Sequence, residues 1–175
     1  MRFLVMSVAL VSLAVPAAAQ NAPILQVGGG YSFLRPQDAG ITLDGWNAAL
    51  DGSVHGPLGL TAEISGYSKT LRVFDEKASG RLLSFVAGPR VTPRARGVLR
   101  PFAHVLVGVA HASVDSFGER TSVNGFLVQP GGGVDVMLLR SLSLRVGADA
   151  RRLWFEGEGE NQFRMNFGAV VPFGR

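Results

Sequence analysis

No cysteine occurs in the 175 residues, so no disulfide can staple the fold and no thiol is available to carry an N-terminal lipid. Stability has to come from packing or from a closed hydrogen-bond network. Beyond residue 19 the chain also lacks any unbroken apolar run of the ~20 residues that a spanning helix requires. Charge of one sign is scarce: 17 Lys and Arg stand against 13 Asp and Glu. Without Arg2 the basic count is 16 and the balance near +3, too slight and too scattered to argue for nucleic acid. The glycine runs Gly28-Gly29-Gly30 and Gly131-Gly132-Gly133 match neither the G-x-G-x-x-G nor the P-loop spacing, and neither opens a helix. They suit tight curvature and close packing of strands. His55, His104 and His111 have no ligand-like spacing, so no metal site and no cofactor is assigned.

What the chain does have is apolar content delivered in alternation. Hydrophobic residues make up 47% of it, and 23 residues are glycine. From Gln162 to Phe173, the residues Phe163, Met165, Phe167, Ala169, Val171 and Phe173 share one parity. Gln162, Arg164, Asn166, Gly168, Val170 and Pro172 share the other. Successive side chains of a strand point to opposite faces, so this segment reads as a strand with one large apolar face and one mostly polar or small face. At the other end, Arg2, the apolar stretch Phe3 to Val15 and Ala17-Ala18-Ala19 read as a secretory signal peptide over residues 1–19, cleaved before Gln20. An exported chain with strands of this kind fits a closed barrel with its oily side against lipid.

The same parity marks seven more strands: Leu25 to Leu34, Gly45 to Val54, Leu58 to Ser68, Arg81 to Val91, Arg100 to Ser113, Asn124 to Leu138 and Leu142 to Trp154. In the third, Tyr67 falls on the inner side. Pro89 in the fourth suggests a bulge, and Pro130 in the sixth another irregularity. The turns at His55-Gly56-Pro57 and Leu139-Arg140-Ser141 are short, and Thr92 to Leu99 is a basic turn. Residues 35–44, 69–80, 114–123 and 155–161 are expected to form four long extracellular loops, because outer-membrane barrels join strands by short periplasmic turns and longer outer loops. Residues 20–175 are thus expected to form one all-β domain, an eight-stranded antiparallel up-and-down transmembrane barrel.

Collected on the inner face, Asp51, Glu63, Asp135 and Asp149 oppose Arg90, Arg145, Arg151 and Arg164. The interior of an eight-stranded barrel is just wide enough to be filled by side chains, so this set is expected to pair across the lumen and plug it. His104 belongs to the same inner face as a hydrogen-bonded lumen residue. Tyr31, Phe33, Trp46, Trp154 and Phe163 cluster by height toward the outer end, as an interfacial aromatic girdle does.

The polar Asn166, then Gly168, then Phe173 at the end of the last strand resemble the C-terminal targeting signal of bacterial outer-membrane barrels. With the eight-strand pattern, the mature chain resembles the small outer-membrane β-barrel family of OmpA-like and OmpX-like domains over nearly its whole length. The resemblance implies location in the bacterial outer membrane and insertion by the barrel-assembly machinery. It also implies contact with outer-membrane lipid and lipopolysaccharide, and a monomeric state.

One arrangement offers catalytic chemistry. By parity His111 and Ser113 both point outward near the extracellular rim, with Asp115 or Glu119 able to orient the imidazole. A histidine that activates a serine is the logic of acyl hydrolysis. The pair resembles that of outer-membrane lipid A deacylases, which carry it on the lipid face of a barrel. Polar residues at a strand end in the headgroup region are the simpler explanation, and no catalytic residue is claimed. The expected function is therefore non-enzymatic, a structural or surface-interaction role through the four outer loops. Two alternatives remain open: a soluble secreted barrel binding a small apolar ligand, with its polarity inverted, and the esterase using His111 and Ser113.

Overall fold

A computed structural model describes residues 25–37, 42–73, 76–93, 98–116, 119–155 and 158–173. The proposed signal peptide, residues 1–19, lies outside them. Eight strands follow in order: β1 (Leu25–Pro36), β2 (Leu43–His55), β3 (Leu58–Val73), β4 (Glu76–Val91), β5 (Leu99–Ser116), β6 (Glu119–Leu139), β7 (Leu142–Phe155) and β8 (Glu158–Phe173). Each pairs antiparallel with its sequence neighbours, and β1 pairs with β8 from Leu25↔Phe173 to Pro36↔Gln162, so the sheet closes on itself. Closure leaves no edge strand. In hydrocarbon, where no water can satisfy a backbone amide, that is what permits strands to span.

Polarity is arranged as parity demands. Phe167, Phe163, Val146, Trp46 and Phe85 are exposed on the outside, while Arg90, Arg145 and Arg164 are buried. A soluble barrel requires the reverse, so that alternative is overturned.

The strands exceed their expected lengths at the outer end. Three of the four segments expected to be long loops are largely strand: β3 and β4 remain paired to Val73↔Glu76, β5 and β6 to Ser116↔Glu119, and β7 and β8 to Phe155↔Glu158. Charged and polar residues concealed this, because above the membrane both faces of a ribbon meet water and the alternation that marks a strand disappears. At the periplasmic end, β2 and β3 are joined through Gly56-Pro57, where Gly56 takes φ +55°, a conformation glycine adopts without a Cβ clash.

The prolines do not cause bulges. Pairing of β4 with β5 lapses between Ala87↔Val107 and Arg90↔His104, and that of β6 with β7 between Val128↔Arg152 and Gly131↔Asp149. The register is the same on both sides of each gap. Pro89 and Pro130 lack an N–H to donate, so each removes ladder bonds without shifting the strands. The register shifts fall instead at Ser53/His55 and Met137/Leu139, beside periplasmic turns.

Candidate functional site

Two places gather the residues that could carry function: the lumen and the outer rim. In the lumen, toward the periplasmic end, Arg90 donates to Asp51 at 2.7 Å and to Asp135 at 3.0 Å. Arg145 donates through Nε to Asp135 at 2.7 Å and lies 2.8 Å from Asp51. Thr61 completes Asp51 with a 2.6 Å hydrogen bond, and the ring of Phe102 lies 3.9 Å below the Arg90 guanidinium. Nearer the middle, Arg164 donates to Glu63 through both terminal nitrogens and to Asp149 through Nε at 2.7 Å. His104 Nε2 lies 2.7 Å from Asp149 Oδ1, as expected of a hydrogen-bonded lumen residue. Gly131 makes room for this group: a Cβ there would sit 1.9 Å from Asp149 Oδ1.

The expected balance of four acids and four arginines is incomplete. Arg151, 1% exposed, makes no ion pair among the described residues; it donates to Ser84 Oγ at 2.8 Å and lies over the Tyr67 ring. Tyr67 is indeed inside, with its hydroxyl 2.9 Å from Ser32 Oγ. A fifth arginine, Arg100, also faces inward, and the sequence reading missed it because it opens its strand beside a basic turn. The inner face is not uniformly polar either. Val86, Leu106, Ala110, Leu127 and Leu153 form an apolar cluster on β4 to β7, with Leu82 and Phe155 against it. These apolar residues stand at inner positions of four strands, and only closure of the sheet brings them together.

On the outer wall, Tyr31 stacks edge-on with Phe33 at 4.8 Å, and Phe126 lies 5.8 Å from Trp154. With exposed Trp46 and Phe163, these rings form the expected girdle. Between strands β2 and β5 an open cavity of about 350 Å³ is lined by Trp46, Ser68, Arg81, Leu83, His111 and Ser113. His111 and Ser113 thus share one site, although Ser113 is only 4% exposed rather than open to lipid. His111 Nδ1 lies 2.8 Å from Asn124 Oδ1, and among the described residues no hydrogen bond joins His111 to Ser113. A neutral carboxamide can orient an imidazole but offers no charge to stabilise its protonated form. Asp115 and Glu119 lie outside the residues whose side chains are described. The three histidines are far apart in role: His55 at the periplasmic end of β2, His104 in the lumen, His111 on the outer wall.

The family model for the outer membrane protein beta-barrel domain matches residues 5–171. The chain belongs to that family. Its place is the bacterial outer membrane, consistent with the lipid-facing exterior. No curated protein matches in sequence. Among solved structures, Ail, the attachment invasion locus protein of Yersinia pestis, superposes with a TM-score of 0.64 at 16% identity, covering 87% of this chain and all of Ail; it was solved with the heparin analogue sucrose octasulfate. Neisserial surface protein A superposes with a TM-score of 0.66 at 13% identity, covering 86% of this chain and 97% of that one. The N-terminal barrel of Pseudomonas aeruginosa OprF gives 0.52 at 17% identity, covering 87% and 100%. At these identities the likeness establishes the shared barrel fold of the outer-membrane family.

Proposed function

We propose that this outer-membrane barrel is a non-enzymatic surface protein, closed along its lumen by ion pairs and meeting its partners at the extracellular end. The observation that carries this reading is the length of its outer ribbons. Seven register pairs, Tyr67↔Leu82 to Val73↔Glu76, continue β3 and β4 beyond the Gly66↔Leu83 pair beside Trp46. At ~3.3 Å per residue this is about 23 Å of strand, enough to hold the tip clear of the headgroup layer. A ribbon locked by backbone bonds up to Val73↔Glu76 has little ordering left to do on contact along its paired length.

The chemistry at that end is acidic. The segments 35–44, 69–80, 114–123 and 155–161 hold nine of the thirteen carboxylates and five of the basic residues. Such an end attracts cationic groups and repels polyanions, so the sulfated ligand of Ail is not carried over. Along the wall, the girdle seats the barrel among outer-membrane lipids, lipopolysaccharide included, and the last strand offers Phe173 to the assembly machinery. A closed sheet has no free edge for strand pairing, which favours a monomer.

The test uses proteoliposomes of zwitterionic lipid carrying the barrel, with cytochrome c as a cationic probe. The probe is expected to bind at low salt. Replacing Glu156, Glu158 and Glu160 by glutamine is expected to weaken that binding several-fold. Equal binding by the parent and the substituted protein refutes the reading.

A further inference from the structure

The carboxylates of this chain are unevenly divided. Four of thirteen, Asp51, Glu63, Asp135 and Asp149, point into the lumen, and the other nine fall in the segments 35–44, 69–80, 114–123 and 155–161, so the only acids toward the periplasmic end are luminal ones. Among the described residues, that end carries Arg100 and Arg140. There the barrel opens on a cavity of about 290 Å³ lined by Gln26, Ser53, Arg90, Thr92, Arg100 and Asp135.

Charge inside this vestibule does not cancel. Asp51 and Asp135 are the acids that border it, and both are already shared between Arg90 and Arg145. Arg100 sits directly across the ladder from Asp135. It nevertheless makes no ion pair or side-chain hydrogen bond among the described residues, and its Nε is buried with no partner. Among the described residues, two carboxylates therefore face three guanidinium groups. A buried N–H donor without an acceptor costs about 1–3 kcal/mol, and an arginine fork left open matches an oxyanion in both charge and geometry.

We infer that the periplasmic vestibule is an oxyanion-binding site, with Arg100 as the residue that takes the anion. The anion would accept from Arg100 Nε–H and a terminal N–H, beside the hydroxyls of Thr92 and Ser53. Phosphate and carboxylate share this chemistry. On the periplasmic side they come from phospholipid headgroups of the inner leaflet and from acidic cell-wall peptides respectively. The site is separate from the proposed surface role, since it lies at the opposite end of the barrel.

The experiment follows arginine Nε–Hε signals by NMR of the intact barrel in zwitterionic detergent, titrated separately with inorganic phosphate, glycerol 3-phosphate and acetate. One signal, that of Arg100, is expected to shift and saturate in the millimolar range. Arg100→Gln is expected to abolish saturable binding, Arg100→Lys to weaken it about tenfold while keeping the cation, and Arg140→Gln to leave it intact. Binding is read in the lysine variant from the backbone amide of Thr92. Tighter glycerol 3-phosphate assigns a lipid headgroup, and tighter acetate assigns a peptide carboxylate. Absence of saturation with all three anions, or unchanged binding in Arg100→Gln, overturns the inference. Because Arg100 holds no ion-pair or side-chain hydrogen-bond partner among the described residues, its variants are expected to keep the heat-modifiable gel migration of the folded barrel.

Discussion

Arg164 on β8 reaches across the lumen to Glu63 on β3, 101 residues away in sequence, and also binds Asp149 on the neighbouring strand at 2.6 Å. Both carboxylates and the guanidinium are buried. Removing the cation leaves two acids with one fewer partner in a dry interior. Arg164→Leu is expected to destabilise the barrel by ~3–5 kcal/mol, the usual penalty for breaking a buried pair. The midpoint of urea unfolding in detergent, read by tryptophan fluorescence, measures it. Glu63→Leu combined with Arg164→Leu should recover part of the loss, because the double change removes opposing charges together.

Gly131 tests how tightly the strands approach that cluster. A Cβ there would meet Asp149 Oδ1 at 1.9 Å and Ala148 O at 2.8 Å, and the second is backbone that cannot swing away. Gly131→Ala is expected to cost about 1–3 kcal/mol by overpacking. At Gly80 a Cβ meets nothing within 4 Å, so Gly80→Ala should leave the same unfolding midpoint unchanged.

The outer-wall site makes a prediction about chemistry. With His111 held by Asn124 and unlinked to Ser113, the purified barrel is expected to release no fatty acid from lipid A, and Ser113→Ala to behave as the parent does. Mass spectrometry of lipid A after incubation decides it. A deacylated product that vanishes in Ser113→Ala would restore the esterase reading.

Legibility in the sequence followed burial contrast. Where one face meets hydrocarbon and the other a polar lumen, as in β7 and β8, parity named the inward Arg145, Arg151 and Arg164 correctly. It failed where both faces meet the same medium. Above the membrane both are wet, so the ribbons of β3 and β4 passed for loops. Inside, inward Leu106 and Leu127 oppose outward Val107 and Val128, and apolar residues on both faces leave no contrast to read. Pairing was harder still: the inward acids could be counted, but not that Arg151 meets Ser84 or that the Arg100 side chain has no partner among the described residues, since partners depend on register between distant strands.

The lipid-facing assignment itself is testable by depth. Phe167 lies on the outer wall between Tyr31 on β1 and Val146 on β7, six residues along β8 from Phe173, which ends the strand on the periplasmic side. A charge at the bilayer midplane of a barrel costs ~2–4 kcal/mol and one at the interface ~0–1. Phe167→Arg is therefore expected to lower folding stability in phospholipid vesicles by the larger amount and Phe173→Arg by the smaller. Refolding equilibria in denaturant supply both values. Had the outer wall faced water, Phe167→Arg would be neutral or stabilising, since an exposed phenylalanine gains nothing there.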